Sequence, residues 1–195
     1  IPWYWVEGRK VNILLDEKKI KWITGFRNIT NATNERSFII TIFSLSAVGH
    51  SLPIIIFENE EKDISYFYAH FCSVVFDYIV RQKLAGVNLN FFYVQQLPVL
   101  PPEINTPSDI QFIVPRVLEL TYTAWDIKAF ADDVWRDADE NLRGIIREQW
   151  EENKRITGGH EWEPPEWAEI EENGTPLPPF KWSEERRAML RAELD

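Results

Sequence analysis

The segment Arg36–Leu45, RSFIITIFSL, constrains the fold more than any other stretch of the chain. Phe38, Ile40 and Ile42 alternate with Ile39 and Phe43, so an extended backbone here is apolar on both faces, as in a central strand. After the polar loop SLSAVGHS comes a second apolar run, SLPIIIFE, and the pair reads as a hairpin or a strand–loop–strand. Asp63 is expected to cap a helix reaching about Leu84, with Ile64, Phe67, Tyr68, Phe71, Val74, Val75, Tyr78 and Ile79 on one broad face. Arg81 and Lys83 suit its last turn and Gly86 its end. VNLNFFYVQQLPVLPP then predicts a short strand that Pro98, Pro101 and Pro102 terminate. The expectation is an α+β fold: a small β-sheet with packed helices and strands near 36–45, 52–58 and 90–95. Phe38, Ile40, Ile42, Ile55, Phe71, Val75 and Phe92 form the expected core.

The second half reads differently. From Pro107 the stripe Val114, Val117, Leu118, Thr121 and Trp125 predicts a helix, with Pro115 near its start or at a kink. WDIKAFADDVW restarts after a break near Asp126, and DENLRGIIREQWEENKR is amphipathic and charged. TGGHEWEPPEWAEIEENGTPLPPF, rich in Pro, Gly and Glu, reads as a surface excursion. SEERRAMLRAELD opens a last helix with Ser183 at its cap but Arg186 where a capping box needs Glu or Gln. This divides the chain into a sheet-containing region, 1–102, and a helical acidic region, 103–195, packed on the first as one domain. An acidic Pro/Glu-rich stretch spans about 132–175.

Charge follows the same division. Residues 1–100 carry ten Lys/Arg against nine Asp/Glu, and residues 101–195 eleven against twenty-two. Residues 1–57, with seven against four, are the most basic part. A polyanion would therefore meet the first half and be repelled by the second. The single cysteine, Cys72, excludes an intramolecular disulfide. No signal-peptide pattern or membrane-length apolar run is present, so a cytoplasmic location is expected and the sequons at Asn28, Asn31 and Asn173 are chance matches. Beginning at Ile1 and ending within a helical pattern, the sequence reads as a fragment of a longer protein.

Catalytic motifs are scarce. There is no Gly-rich phosphate loop and no cysteine pair for zinc. His70 and Cys72 lie on the apolar helix face and read as core, and His160 lies in the acidic excursion. Ser44, Ser46, His50 and Ser51 form only a chance Ser/His grouping, without a nucleophile elbow. Asp132–Asp133 and Glu171–Glu172 read as solvated. What remains are three polar segments between apolar elements: FRNITNATNERS, SLSAVGHS and VNLNFFYVQQ. They supply Arg27, Asn31, Asn34, Arg36, His50, Asn88, Asn90, Gln95 and Gln96. Arg can pair with guanine edges and Asn or Gln with adenine edges, although Asn and Thr also serve ordinary turns.

FRNITNATNERSFIITIFSLSAVGHSLPII, VVFDYIVRQKLAGVNLNFFYVQQLPVLPP, VPRVLELTYTAWDIKAFADD and PPFKWSEERRAMLRAELD together resemble the C-terminal part of large adenine-specific DNA methyltransferases. These belong to restriction–modification and phage-defence systems, type IIG-like fused enzymes among them. The likeness covers roughly residues 20–132 and 176–195, and the acidic Pro/Glu-rich stretch between them is an insertion relative to that family's pattern. Its most specific piece is Asn88–Pro102, similar to the exit of TaqI-like target recognition domains and type I specificity subunits. The resemblance implies a DNA sequence-recognition module, with double-stranded DNA and the parent's methyltransferase domain as partners. With the acidic half repelling a duplex, the expected reading face combines Arg27, Asn34, Arg36 and His50 with Lys83, Asn88 and Asn90. The parent would use S-adenosylmethionine, but the Asn-Pro-Pro-aromatic motif of such enzymes is missing: VLPPE has Leu100 where the amide belongs. The fragment itself is thus expected to lack catalysis, cofactor and metal. The competing expectation is a protein-interaction domain of a defence complex, favoured by the acidic half and nine tryptophans.

Overall fold

The computed structural model describes residues 20–57, 61–159 and 163–195. Three antiparallel strands form one sheet in the order β2-β1-β3: β1 Trp22–Phe26, β2 Ile40–Ser44 and β3 Ile54–Ile55. Phe26 pairs with Ile40 and Trp22 with Ser44, while Gly25 pairs with Ile54 on the other side. The central strand is therefore β1, which lies outside the strands expected near 36–45, 52–58 and 90–95. The doubly apolar run forms the edge strand β2. Only one of its faces is buried: Ile40 and Ile42 are covered, with α1 (Glu61–Cys72) and the 3-10 turn Trp125–Ile127 packed on the strand, whereas Ile39 and Thr41 are exposed.

The expected single helix over 63–84 is two. α1 ends at Cys72, and Ser73 takes an extended conformation (φ −67°, ψ 151°) as N-cap of α2, Val74–Lys83. Ser73 Oγ donates to the His70 carbonyl at 2.8 Å and accepts from Phe76 N–H at 3.2 Å, competing with helix continuation. Asp63 is a residue of α1, not its cap. Because the break resets the helical face, the stripe does not carry across it: Phe76 and Val80 are buried, whereas Val75 is 66% exposed. The expected strand at 90–95 is also absent. Asn90 caps the short helix α3, Phe91–Val94, accepting from Tyr93 N–H, and Phe92 is exposed at 68%. Extended pairing survives only as the isolated bridge between Ile29 and Asn88. Phe38, Ile40, Ile42 and Phe71 are buried as expected, and Ile55 is half-buried. Residue 58 of the expected second strand, residues 1–19 and His160 lie outside the described residues.

The remaining helices are α4 (Pro107–Thr121), α5 (Lys128–Asp137), α6 (Glu140–Thr157) and α7 (Glu184–Leu194). Thr106 and Asp109 form a complete capping box for α4, and Pro115 is accommodated within it. One buried apolar cluster runs from Phe26 and Phe38 through Phe71 and Val117 to Phe130, Trp150 and Phe180, joining sheet and helices. α1 is the shared layer, packing on β2, α4 and α5.

Two buried ion pairs fasten the acidic half. Glu119 of α4 accepts from Arg186 Nε at 2.8 Å, Gln149 Nε2 at 2.6 Å and Asn153 Nδ2 at 2.9 Å, tying α4, α6 and α7 together. Lys128 donates to Asp132 at 2.5 Å and to the Thr175 carbonyl at 3.2 Å. Asp132 also accepts from Thr175 N–H at 2.8 Å. Gly174 is required by this approach, since a Cβ there would lie 2.5 Å from the Asp132 carboxylate. The excursion is therefore superficial only in its outer part. Trp167 and Ile170 are exposed, but Thr175 and Phe180 are buried, and Asp132 itself is core rather than solvated.

Replacing Glu119 by Ala leaves the Arg186 guanidinium buried with only the part-exposed Glu152 as partner. The expected loss, read by urea unfolding, is about 3–5 kcal/mol. A loss below about 1 kcal/mol, the range of an exposed pair, would contradict the assigned role.

Candidate nucleic-acid interface

The chain leaves β1 at Phe26 and continues through the loop Asn31–Glu35 before returning as β2. This loop is held from α2. Asp77, 3% exposed, accepts from Ser37 N–H at 2.6 Å, Phe38 N–H at 2.8 Å and Arg81 Nε at 2.7 Å. These backbone bonds replace ladder pairing, which is why β2 starts at Ile40 rather than Arg36. Arg81 then donates to three loop carbonyls: Ala32 at 2.8 Å, Asn34 at 2.7 Å and Glu35 at 2.7 Å. Inside the loop, the Asn31 side-chain oxygen accepts from Thr33 N–H at 2.8 Å, and Asn34 Nδ2 donates to Thr30 Oγ1 at 3.2 Å. Asn28 and Thr30 are 2% and 3% exposed, so the folded domain has no room for a glycan at that sequon.

The seven residues expected at DNA fall into two groups and one outlier. Arg27, Asn34 and Arg36 line a cleft of about 440 Å³ beside β2. Arg27 is exposed, and Arg36 is half-buried and ion-paired with Asp195 at 3.2 Å. His50 and the segment at Asn88 meet at the buried Asn28, and Asn90 follows two residues after Asn88. Asn28 Nδ2 lies 3.2 Å from His50 Nδ1, its N–H donates to the Ser51 carbonyl at 3.0 Å, and its carbonyl accepts from Leu89 N–H at 2.7 Å. Thr30 N–H donates to the Val87 carbonyl at 3.0 Å, completing the link between the three polar segments. All three side chains of this group are exposed, although Asn90 spends its carboxamide oxygen on the α3 cap. Lys83 is exposed at the end of α2 and joins neither group.

Four contributors were missed in the sequence. Asp77 and Arg81 stand at i,i+4 spacing, a signal visible in the chain, but the reading assigned Arg81 to the helix dipole alone. Arg187 and Arg191 of α7 line the same cleft as Arg27 and Arg36. Their separation of some 150 residues from those arginines gives no local pattern to read. Between them, burial pushes the Cys72 thiol up to about 11 and the Tyr68 phenol well above its ordinary range. Burial also lowers His70, whose Nε2 is 3.4 Å from the Pro98 carbonyl. Among the described residues no group of three or more His, Cys, Asp and Glu could hold a metal ion, and no helix is long and apolar enough to cross a membrane.

No family model matches this chain, and neither a curated protein nor a solved structure matches it.

Two measurements check this geometry. Replacing Arg81 by Ala should release residues 31–37, seen as faster amide hydrogen exchange there with little change in α4 and α6; unchanged protection would remove Arg81 as the clamp. At pH 8, Cys72 should alkylate more than about tenfold more slowly in the folded chain than in urea, since a raised pKa depletes the thiolate.

Proposed function

We propose that the chain is a DNA sequence-recognition module of an N6-adenine DNA methyltransferase of the restriction–modification or phage-defence kind, and is not catalytic by itself. The observation that carries this reading is the clamped loop. Asp77 and Arg81 hold the backbone of 31–38, so Asn34 and Arg36 are presented on an ordered segment beside Arg27. Ordering a reading loop before contact lowers the entropy cost of binding. The polar segments at His50 and Asn88 meet at Asn28, immediately after Arg27, which supports one continuous polar rim. Exposed Phe91 and Phe92 flank that rim.

In this reading Arg27 and Arg36 contact phosphate or guanine, and Asn34, Asn88 and Asn90 reach base edges. Double-stranded DNA and the parent's methyltransferase domain are the partners, and S-adenosylmethionine binds the parent elsewhere. A cytoplasmic location belongs to the same proposal. A second reading, a protein-interaction domain, is favoured by Trp167 and Ile170, exposed within the acidic segment.

Fluorescence anisotropy with duplex containing the parent's methylation site tests the proposal. Binding should fall steeply between 50 and 200 mM salt, and Arg27→Ala should cost about 1–3 kcal/mol. A loss equal for all sequences assigns Arg27 to phosphate; relaxed specificity assigns it to a base. Asp195→Asn should strengthen binding by freeing Arg36 from its ion pair. Salt-independent binding untouched by Arg27→Ala and by Arg36→Ala would favour the protein-interaction reading instead.

A further inference from the structure

The cleft beside β2 has a chemistry that duplex reading does not need. Four arginines line it: Arg27 and Arg36 from the sheet side, Arg187 and Arg191 from α7. Against them stand two carboxylates, Glu35 and Asp195. Asp195 is already engaged, accepting from Arg36 at 3.2 Å and from Val74 N–H at 2.7 Å. Arg187 donates to the Leu120 carbonyl at 3.0 Å. Arg27 and Arg191 have no side-chain hydrogen bond or ion pair among the described residues. The floor between them is apolar, formed by Phe38, Ile40, Ala69 and Leu120. Tyr68 and Cys72, the polar groups of that floor, are held in their neutral forms by burial, so the floor adds no negative charge to offset the arginines.

We propose that this cleft is a binding site for a phosphate monoester with a ring-sized apolar body. Two uncommitted guanidiniums match a dianion, and a monoester carries about −1.5 to −2 near neutral pH, whereas a carboxylate carries one charge. The guanidinium fork pairs with phosphate oxygens in two parallel hydrogen bonds. A volume of about 440 Å³ exceeds what inorganic phosphate fills and lies in the range of small-molecule pockets. The apolar floor supplies contact for the remainder of the ester. Such a group could come from a free metabolite or from the phosphorylated end of a nucleic-acid strand. The site goes beyond duplex recognition and shares only Arg27, Asn34 and Arg36 with it.

Isothermal titration of the full chain with phenyl phosphate and adenosine 5′-monophosphate tests the site. At least one ester should bind with submillimolar affinity, and inorganic phosphate and adenosine more than about tenfold more weakly, since each lacks half the recognition. Arg191→Ala should lose about tenfold or more, with Arg191→Lys between the two because it keeps charge without the fork. Arg27→Ala, at an exposed position, gives the same readout should the α7 variants fail to fold. A 5′-phosphorylated trinucleotide titrated alongside separates the sources: tighter binding than the monoester identifies a strand end, weaker binding a free metabolite. Duplex binding measured on Arg191→Ala separates this site from the DNA reading, since it should persist. No heat from either ester, inorganic phosphate binding as tightly as the esters, or ester affinity unchanged in both Arg191→Ala and Arg27→Ala would overturn the proposal.

Discussion

The Asp77 carboxylate is the contact on which the rest of the sheet side depends. Burying a carboxylate is costly unless its oxygens are satisfied. Here two backbone N–H groups and one guanidinium satisfy them, at 2.6, 2.8 and 2.7 Å. The arrangement does three things at once. It ends the ladder at Ile40, fixes α2 against the start of β2, and orients Arg81 toward the loop carbonyls. Removing the carboxylate would leave Ser37 and Phe38 N–H groups buried without partners, so loop order and strand register would fail together.

The acidic half solves a different problem. Excess negative charge opposes compaction, yet its decisive acids are not on the surface. Glu119 and Asp132 are buried and neutralised, Glu119 by Arg186 from the distant α7 and Asp132 by Lys128 one turn away in the same helix. The outer acids remain in solvent or form partly exposed pairs, as Glu171 does with Arg136 and Lys21. That last contact reaches from the excursion to the residue preceding β1, so even the most exposed acidic segment is fastened to the sheet side.

Much of the fold was legible because periodicity reports burial. Phe38, Ile40, Ile42 and Phe71 are where alternation and helical spacing put them, and the α+β class follows from them. The failures share a cause: a single polar side chain overruled the apolar pattern. Ser73 split the long helix, and Asn90 turned an expected strand into a helical turn. β1 was overlooked as the central strand because five residues interrupted by Gly25 carry little pattern. Of the candidate site, the local segments could be read, and the meeting of His50 with Asn88 through Asn28 follows from sheet geometry. The arginines contributed by α7 could not be found, because only the tertiary fold brings residue 191 to residue 27.

The cleft wall has a further consequence for how the chain acquires its shape. One side is made by residues 27–40 and the other by residues 187–195, and the Arg36–Asp195 pair spans 159 positions. During synthesis the sheet side emerges first and must wait for α7 before this wall can close. Until then the apolar floor around Leu120 and Phe38 stays open to other chains. Closure at such sequence distance is slow relative to local helix formation. Nascent chains halted before residue 184 should therefore hold their earlier helices yet expose a sticky seam, which makes the arrival of α7 the step that covers it.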